Sequence, residues 1–231
     1  MGLKQLLQSS LNRFGYECRR RIEPLSWIAS LDIGTVLDIG ANEGQFSSSL
    51  RQLRPDVFIH CFEPNLEAAQ ALMSHFQGDP RTAIHTFGLG SLAGTATLRL
   101  NTFSPSSSLL RLASTHRQNF PHAMETSSVE IPIRRLDDCF GDFHVQGTTM
   151  LKLDVQGYEL EVLDGGRNTL HECRYVYTEV SFIELYEGQP LFEEVLAFLG
   201  DKGFRPLGMY DVTYSRDTGA CLFADILLEA R

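Results

Sequence analysis

The sequence has no apolar run approaching the ~18 residues that a membrane-spanning helix needs, no C-x-x-C pair and no surplus of positive charge. Each absence excludes a class of protein. Without a long apolar run, no integral membrane segment is expected. The five cysteines, Cys18, Cys61, Cys139, Cys173 and Cys221, are odd in number and widely spread. They suggest neither a disulfide framework nor a structural zinc site, as fits a reducing, cytoplasmic setting. The 29 Asp and Glu outweigh the 20 Lys and Arg, giving a net charge of −9. A nucleic-acid partner, which requires clustered basic residues, is therefore not expected. Only Arg19-Arg20-Arg21 is locally basic. It reads as a solvated helix end, with contact to an acidic membrane or partner as the lesser alternative. The N-terminal stretch is too polar for a signal peptide. Homo-oligomer formation is compatible with the sequence.

What remains is an ordinary globular composition, 43% hydrophobic and 21% charged over 231 residues, sized for one α/β domain. Residues 1–32 read as a helical lead-in: Leu3, Leu6, Leu7 and Leu11 share one helical face, and a second short helix after Pro24 carries Leu25, Trp27 and Ile28. The main domain follows over 33–231. Strands are predicted near 35–39, 57–62, 82–87, 94–100, 129–133, 149–154, 174–180, 204–210 and 221–228. Helices are predicted over 44–53, with Phe46, Leu50 and Leu53 inward, after the cap Asn65, carrying Leu66, Ala69, Leu72 and Met73, and over 191–199. Strands alternating with helices and closed by an antiparallel hairpin imply a doubly wound, mostly parallel sheet. Residues 103–128 are rich in Ser and Thr and read as a lid or binding loop rather than a plain connection. His116 and His122 lie in it and read as surface histidines.

The chemistry concentrates at strand ends. Asp38-Ile39-Gly40-Ala41-Asn42-Glu43-Gly44 turns from the first strand into a helix, and Glu63 ends the second strand. A dinucleotide enzyme would show G-x-G-x-x-G to hold a pyrophosphate, but Asn42 stands where the second glycine belongs. S-adenosylmethionine (SAM) has no phosphate and fits better. Gly40 and Gly44 permit close backbone approach. Asp38 offers acceptors to the methionine ammonium, directly or through water and the turn amides, and Glu63 offers acceptors to the ribose hydroxyls. Downstream, Asp154 ends a central strand beside the switch point where ligands bind, and Glu179 occupies the same place one strand on. Two carboxylates there suit deprotonation of an acceptor hydroxyl. With water and substrate oxygens they would also suit magnesium or calcium, whereas no His/Cys cluster supports zinc. Glu159 reads as a surface acid compensating a helix dipole, although a role beside Asp154 is open.

Together these segments resemble the FkbM family of SAM-dependent methyltransferases. The resemblance rests on VLDIGANEGQFS at 36–47, FEPN at 62–65, FGLGSLAGTATL at 87–98, Ser107-Ser108-Leu109, LKLDVQGYELEVLDGG at 151–166 and TEVSFIELYEGQPLFEEV at 178–195. It covers about residues 33 to 228 in the family's order. Gln156 stands where the family commonly shows Glu, and Gly88-Leu89 where it tends to carry Ala-Leu. The resemblance implies a Rossmann-like class I methyltransferase fold and O-methylation of a hydroxyl on a sugar, glycan or natural-product scaffold. It implies that Asp38, Gly40, Asn42, Gly44 and Glu63 line the cofactor site, that Phe87 and Gly88 approach the adenine, and that Asp154 faces the transfer centre. The sequence makes Asp154 the first choice of base and Glu179 the second. A non-catalytic SAM-binding module of the same fold is the alternative, and RNA methylation is disfavoured by charge.

Overall fold

The computed structural model describes Arg13, residues 25–102 and residues 104–231. Two compact units divide the chain, Met1–Leu31 and Asp32–Arg231. Of the first unit, the described part is a 3-10 helix, Ser26–Ser30, with Ile28 buried, preceded by Leu25 in a left-handed conformation (φ 58°). The helical face through Leu3 and Leu11 and the basic run at 19–21 lie outside the described residues.

The second unit is built on a seven-stranded sheet. Its strands are β1 (Thr35–Ile39), β2 (Phe58–Phe62), β3 (Thr82–His85), β7 (Thr149–Leu153), β8 (Cys173–Ser181), β9 (Phe204–Tyr214) and β10 (Cys221–Ala230). They lie in the order β3-β2-β1-β7-β8-β10-β9. The first five are parallel, and β10 and β9 close the edge antiparallel. This is the doubly wound sheet with a C-terminal hairpin that the sequence predicts. The order reverses between β1 and β7, so a crevice opens at the carboxyl ends of those two strands.

Every residue of β1 and β7 is buried, as strands covered on both faces must be. Leu37, Ile39, Leu151, Leu153 and Val176 join a core with Val162 and Leu163 of helix α5 (Glu159–Gly165) and Val195 and Leu199 of α6 (Phe192–Asp201). Alternation sends Asp38, Lys152 and Tyr177 to the opposite face, where α1 (Gln45–Leu53) contributes Ser47. In α1, Leu50 is buried while Phe46 and Leu53 are only half-buried. Asn65 caps α2 (Leu66–His75) by accepting from the Glu67 amide at 3.1 Å. Leu66 and Met73 of that helix are exposed, since it lies on the surface and buries only Ala68, Ala69 and Leu72.

A separate three-stranded sheet, β4-β6-β5, was not legible as a unit. It joins β4 (Gly88–Leu89), β5 (Gly94–Asn101) and β6 (Glu125–Arg134). The last four residues of the Ser-rich stretch expected as a lid over 103–128 thus belong to β6. Between β5 and β6 lie a 3-10 turn, Ser104–Ser106, and helix α3, Ser114–Asn119. Bridges Arg99↔Ser108 and Leu112↔Tyr186 tie the connection down. A four-residue helix, α4 (Leu136–Cys139), leads from β6 toward β7.

Two histidines are packed between β2 and β3. His60 Nε2 lies 3.0 Å from the His144 carbonyl, so it donates, and His60 Nδ1 must then accept from His85 Nε2 at 3.1 Å. The His60 ring is therefore neutral, because a proton on its Nδ1 would face another N–H. Phe62 stacks on His85 at 4.6 Å, with Phe143 at 4.9 Å. Burial first, then His60 and Arg134, pull His85 down to about 4. In the unfolded chain the imidazole titrates near ~6.5, so the unfolded state takes up a proton first as pH falls. This contribution to stability is full above about pH 6.5 and declines toward about pH 4. The variant His85→Phe should flatten the loss of Tm between those limits relative to the parent chain; parallel Tm–pH curves would contradict the assignment.

Candidate active site

The site grows from a contact between two strand ends. A Cβ on Gly40 would stand 1.9 Å from the carbonyl oxygen of Asp154, and Gly40 has φ 77°. Only glycine satisfies both conditions. The Asp154 amide donates to the Ile39 carbonyl at 3.1 Å, stitching the two turns together. Gly44 (φ 92°) then starts α1 in the left-handed region, its α-carbon so close to Leu72 that a Cβ would fall 2.6 Å from that side chain.

Beneath the turn lies a buried ion pair. Asp38 and Lys152 are register partners on β1 and β7. Lys152 Nζ is 2.9 Å from Asp38 Oδ1, donates to the Gly40 carbonyl at 3.2 Å and lies 3.8 Å from Asp154 Oδ2. Ser47 Oγ donates to Asp38 Oδ2 at 2.5 Å. Burial alone would strip Lys152 of its proton, but Asp38, then Asp154, outweigh it and raise its pKa on balance. Asp38 is fully buried with both oxygens engaged, so its hold on the turn runs through Lys152.

Glu63 ends β2, buried, and accepts from the Asn42 amide (Oε2, 2.8 Å) and the Asn65 amide (Oε1, 2.8 Å). Burial raises its pKa although both amides oppose the shift. A carboxylate offers about four lone-pair sites, so two remain for a diol. Asn42 (φ 47°) accepts from Ser104 Oγ at 2.9 Å. Phe87 carries the Arg134 guanidinium 4.5 Å above its ring and meets Phe62 edge-on at 5.8 Å. Gly88 is buried in β4, where a Cβ would press to 2.7 Å on Ile133.

On the other side of the Gly40–Asp154 contact, a cleft of about 640 Å³ opens. Asp154, Gln156 and Glu179 form its floor, His116, Phe120 and Tyr186 one wall, and Arg216, Asp217 and Phe223 the hairpin side. The structure thus brings Asp154 and Glu179 into one cavity. Gln156 (φ 55°) donates from Nε2 to Asp154 Oδ1 at 2.7 Å and accepts from the Tyr186 hydroxyl at 2.5 Å. An amide can do both; a carboxylate in its place could not donate unless protonated. Ser108 Oγ holds the Gln156 carbonyl at 2.6 Å. Gln189 Oε1 in turn accepts from the amides of Leu185 and Tyr186 at 2.8 and 2.6 Å, which shapes the LYEGQ turn behind Tyr186.

Further acids lie close to Glu179. Glu179 faces Asp225 across β8 and β10, and Tyr177 donates to Asp225 Oδ2 at 2.7 Å. Burial, then Asp154, Glu159 and Asp225, push Glu179 well above the usual carboxylate range. Burial likewise lifts Asp225 to about 6 and Glu159 to about 7. Glu159 is not the surface acid expected: it is buried, and its Oε1 accepts from the Val155 and Gly157 amides at 3.3 and 3.2 Å. His116 is buried as well, contrary to expectation, because α3 packs inward beside Tyr186, whereas His122 is exposed. Lys152 and Asp225 were missed by sequence reasoning, although a charged residue inside an otherwise apolar strand, as in LKLD and FADILL, was the available signal. Among the described residues no group of three or more His, Cys, Asp and Glu is arranged to hold a metal ion, and no helix is long and apolar enough to cross a membrane.

Removing one partner of a buried ion pair leaves an uncompensated charge and costs about 3–5 kcal/mol. Lys152→Met should therefore destabilise the fold by about that amount in denaturant unfolding. A loss below about 1 kcal/mol, as for an exposed pair, would show that the Asp38 charge is not enclosed.

Comparisons with known proteins place the chain in a family. A 2-O-methyltransferase, NoeI, of Sinorhizobium fredii is 30% identical over 175 residues, 71% of this chain and 70% of that one. The hexuronic acid methyltransferase AglP of Haloferax volcanii is 28% identical over 144 residues, 62% of this chain and 54% of that one. Among solved structures, the magnesium protoporphyrin IX methyltransferase ChlM from Synechocystis, with bound SAM, superposes with a TM-score of 0.50 at 10% identity, covering 100% of this chain and 98% of that one; this likeness concerns the fold alone. The model of the methyltransferase FkbM domain matches residues 38–206. The chain belongs to the FkbM family of SAM-dependent methyltransferases.

Proposed function

We propose that the chain methylates a hydroxyl of a sugar, free or within a glycan or natural product. One observation carries the reading. The backbone of Asp154 closes the Gly40 turn while its side chain lines the cleft, so a single residue borders both the cofactor side and the acceptor side. The names of two relatives, a 2-O-methyltransferase and a hexuronic acid methyltransferase, support the choice of acceptor.

SAM, when bound, supplies a methyl group on a positively charged sulfur. The residues fit it: Glu63 retains acceptor sites for a ribose diol, the turn from Gly40 to Gly44 presents backbone rather than side chains, and Asn42 is fixed between Glu63 and Ser104. Asp38 supports that turn through Lys152. Phe87 and Gly88 border the adenine side. Asp154, oriented by Gln156, takes the proton from the acceptor hydroxyl as that oxygen gains its methyl group. Glu179, held toward its protonated form by burial and the neighbouring acids, positions the acceptor oxygen. The segment 104–123 contributes Ser106, His116 and Phe120 to the lining of the cleft. A cytoplasmic setting suits the four described cysteines, all free.

Asp154→Asn should lower kcat by about 10²–10⁴-fold while SAM affinity, read by calorimetry, changes no more than a few fold. Preserved turnover would remove Asp154 as the base. Glu63→Ala should weaken SAM binding by about 1.5–3 kcal/mol and spare kcat at saturating SAM. Unchanged affinity would overturn the ribose assignment.

A further inference from the structure

His116 is a buried side chain without a partner. It is 3% exposed, and its Nδ1 has no hydrogen-bond partner among the described residues. The ring is clamped between Phe120, at 5.1 Å, and Tyr186, at 5.3 Å, and the residue lines the same cleft as Asp154 and Glu179. Nδ1 is closed off from water. An orphaned buried N–H is costlier than a bare acceptor, so the proton belongs on Nε2. Burial, then Arg117, lower the pKa of the ring, which keeps it a neutral, single-proton donor.

The cleft therefore sets a donor against a floor of acids. A vicinal diol matches that arrangement: one hydroxyl gives its proton to a carboxylate while its neighbour accepts from an imidazole N–H. Phe120 and Phe223, with centroids 6.2 Å apart, add apolar faces of the kind a sugar ring packs on. Resting on the acceptor reading above, we propose that His116 orients the acceptor by donating Nε2–H to the hydroxyl adjacent to the one methylated, so that the preferred substrates are sugars with a free vicinal diol. This makes His116 an acceptor-orienting residue and leaves the proton transfer to Asp154.

The test is methyl transfer from labelled SAM to a panel of methyl glycopyranosides and their monodeoxy counterparts. The parent chain should lose about tenfold or more in kcat/KM when the neighbouring hydroxyl is removed. In His116→Phe that ratio should fall to near unity, and in His116→Gln, whose amide keeps a donor, part of it should return. SAM affinity equal to the parent's reports that each variant is folded. A deoxy ratio in folded His116→Phe equal to the parent's overturns the role of His116 and leaves the acceptor reading intact. Absence of transfer by the parent chain to every glycoside overturns the acceptor reading, and this proposal with it.

Discussion

The buried pair between Asp38 and Lys152 is the constraint around which the site is organised. The two residues are neighbours in register on the strands that flank the switch point. Lys152 then reaches up to the Gly40 carbonyl and toward Asp154. One ammonium therefore ties the glycine turn, the first strand and the reactive strand end into a single unit. Buried ion pairs contribute little net stability compared with apolar packing. Here the pair also occupies a position where Gly40 and Asp154 must touch without a side chain between them, and a wholly apolar pair would leave the Gly40 carbonyl without its donor.

The charge distribution on the two sides of that contact differs. On the cofactor side, Glu63 is surrounded by backbone amides, a setting that favours acceptance of hydrogen bonds. On the acceptor side, burial and then the nearby Asp154 raise Glu179, Asp225 and Glu159, and Glu179 is raised further by the other two. Such a floor retains protons readily, and environments that push carboxyl groups upward are a common mark of sites where protons are handled. Asp154 differs in having its own set partners, Gln156 on one oxygen and Lys152 facing the other.

Much of this was legible in the sequence because it lay in contiguous segments. The alternation of strands and helices, the glycine turn, Glu63 and the strand-end positions of Asp154 and Glu179 follow from patterns a few residues long. The remainder depended on contacts between distant segments. Glu159 resembled a helix-start acid, and nothing local announces that α5 begins in the interior. His116 lies in a Ser- and Thr-rich stretch with no apolar period, yet Tyr186, far along the chain, covers it. The pairing of β4, β5 and β6 into their own sheet likewise follows from long-range register.

That small sheet separates two evolutionary burdens. The wall of the cleft that carries Ser106, His116 and Phe120 is one excursion between β5 and β6, and its ends are fixed by a ladder running from Gly94↔Ile133 to Asn101↔Glu125. The strands that end in the Gly40 turn, Glu63, Asp154 and Glu179 belong to a different sheet. Apart from the hydrogen bond from Ser104 to Asn42, the excursion can be lengthened, shortened or rewritten without disturbing the register of the larger sheet. Such an arrangement lets one catalytic chassis acquire new substrates by changing a single insert, which gives a physical basis for diversity of acceptors among chains that share a conserved reaction.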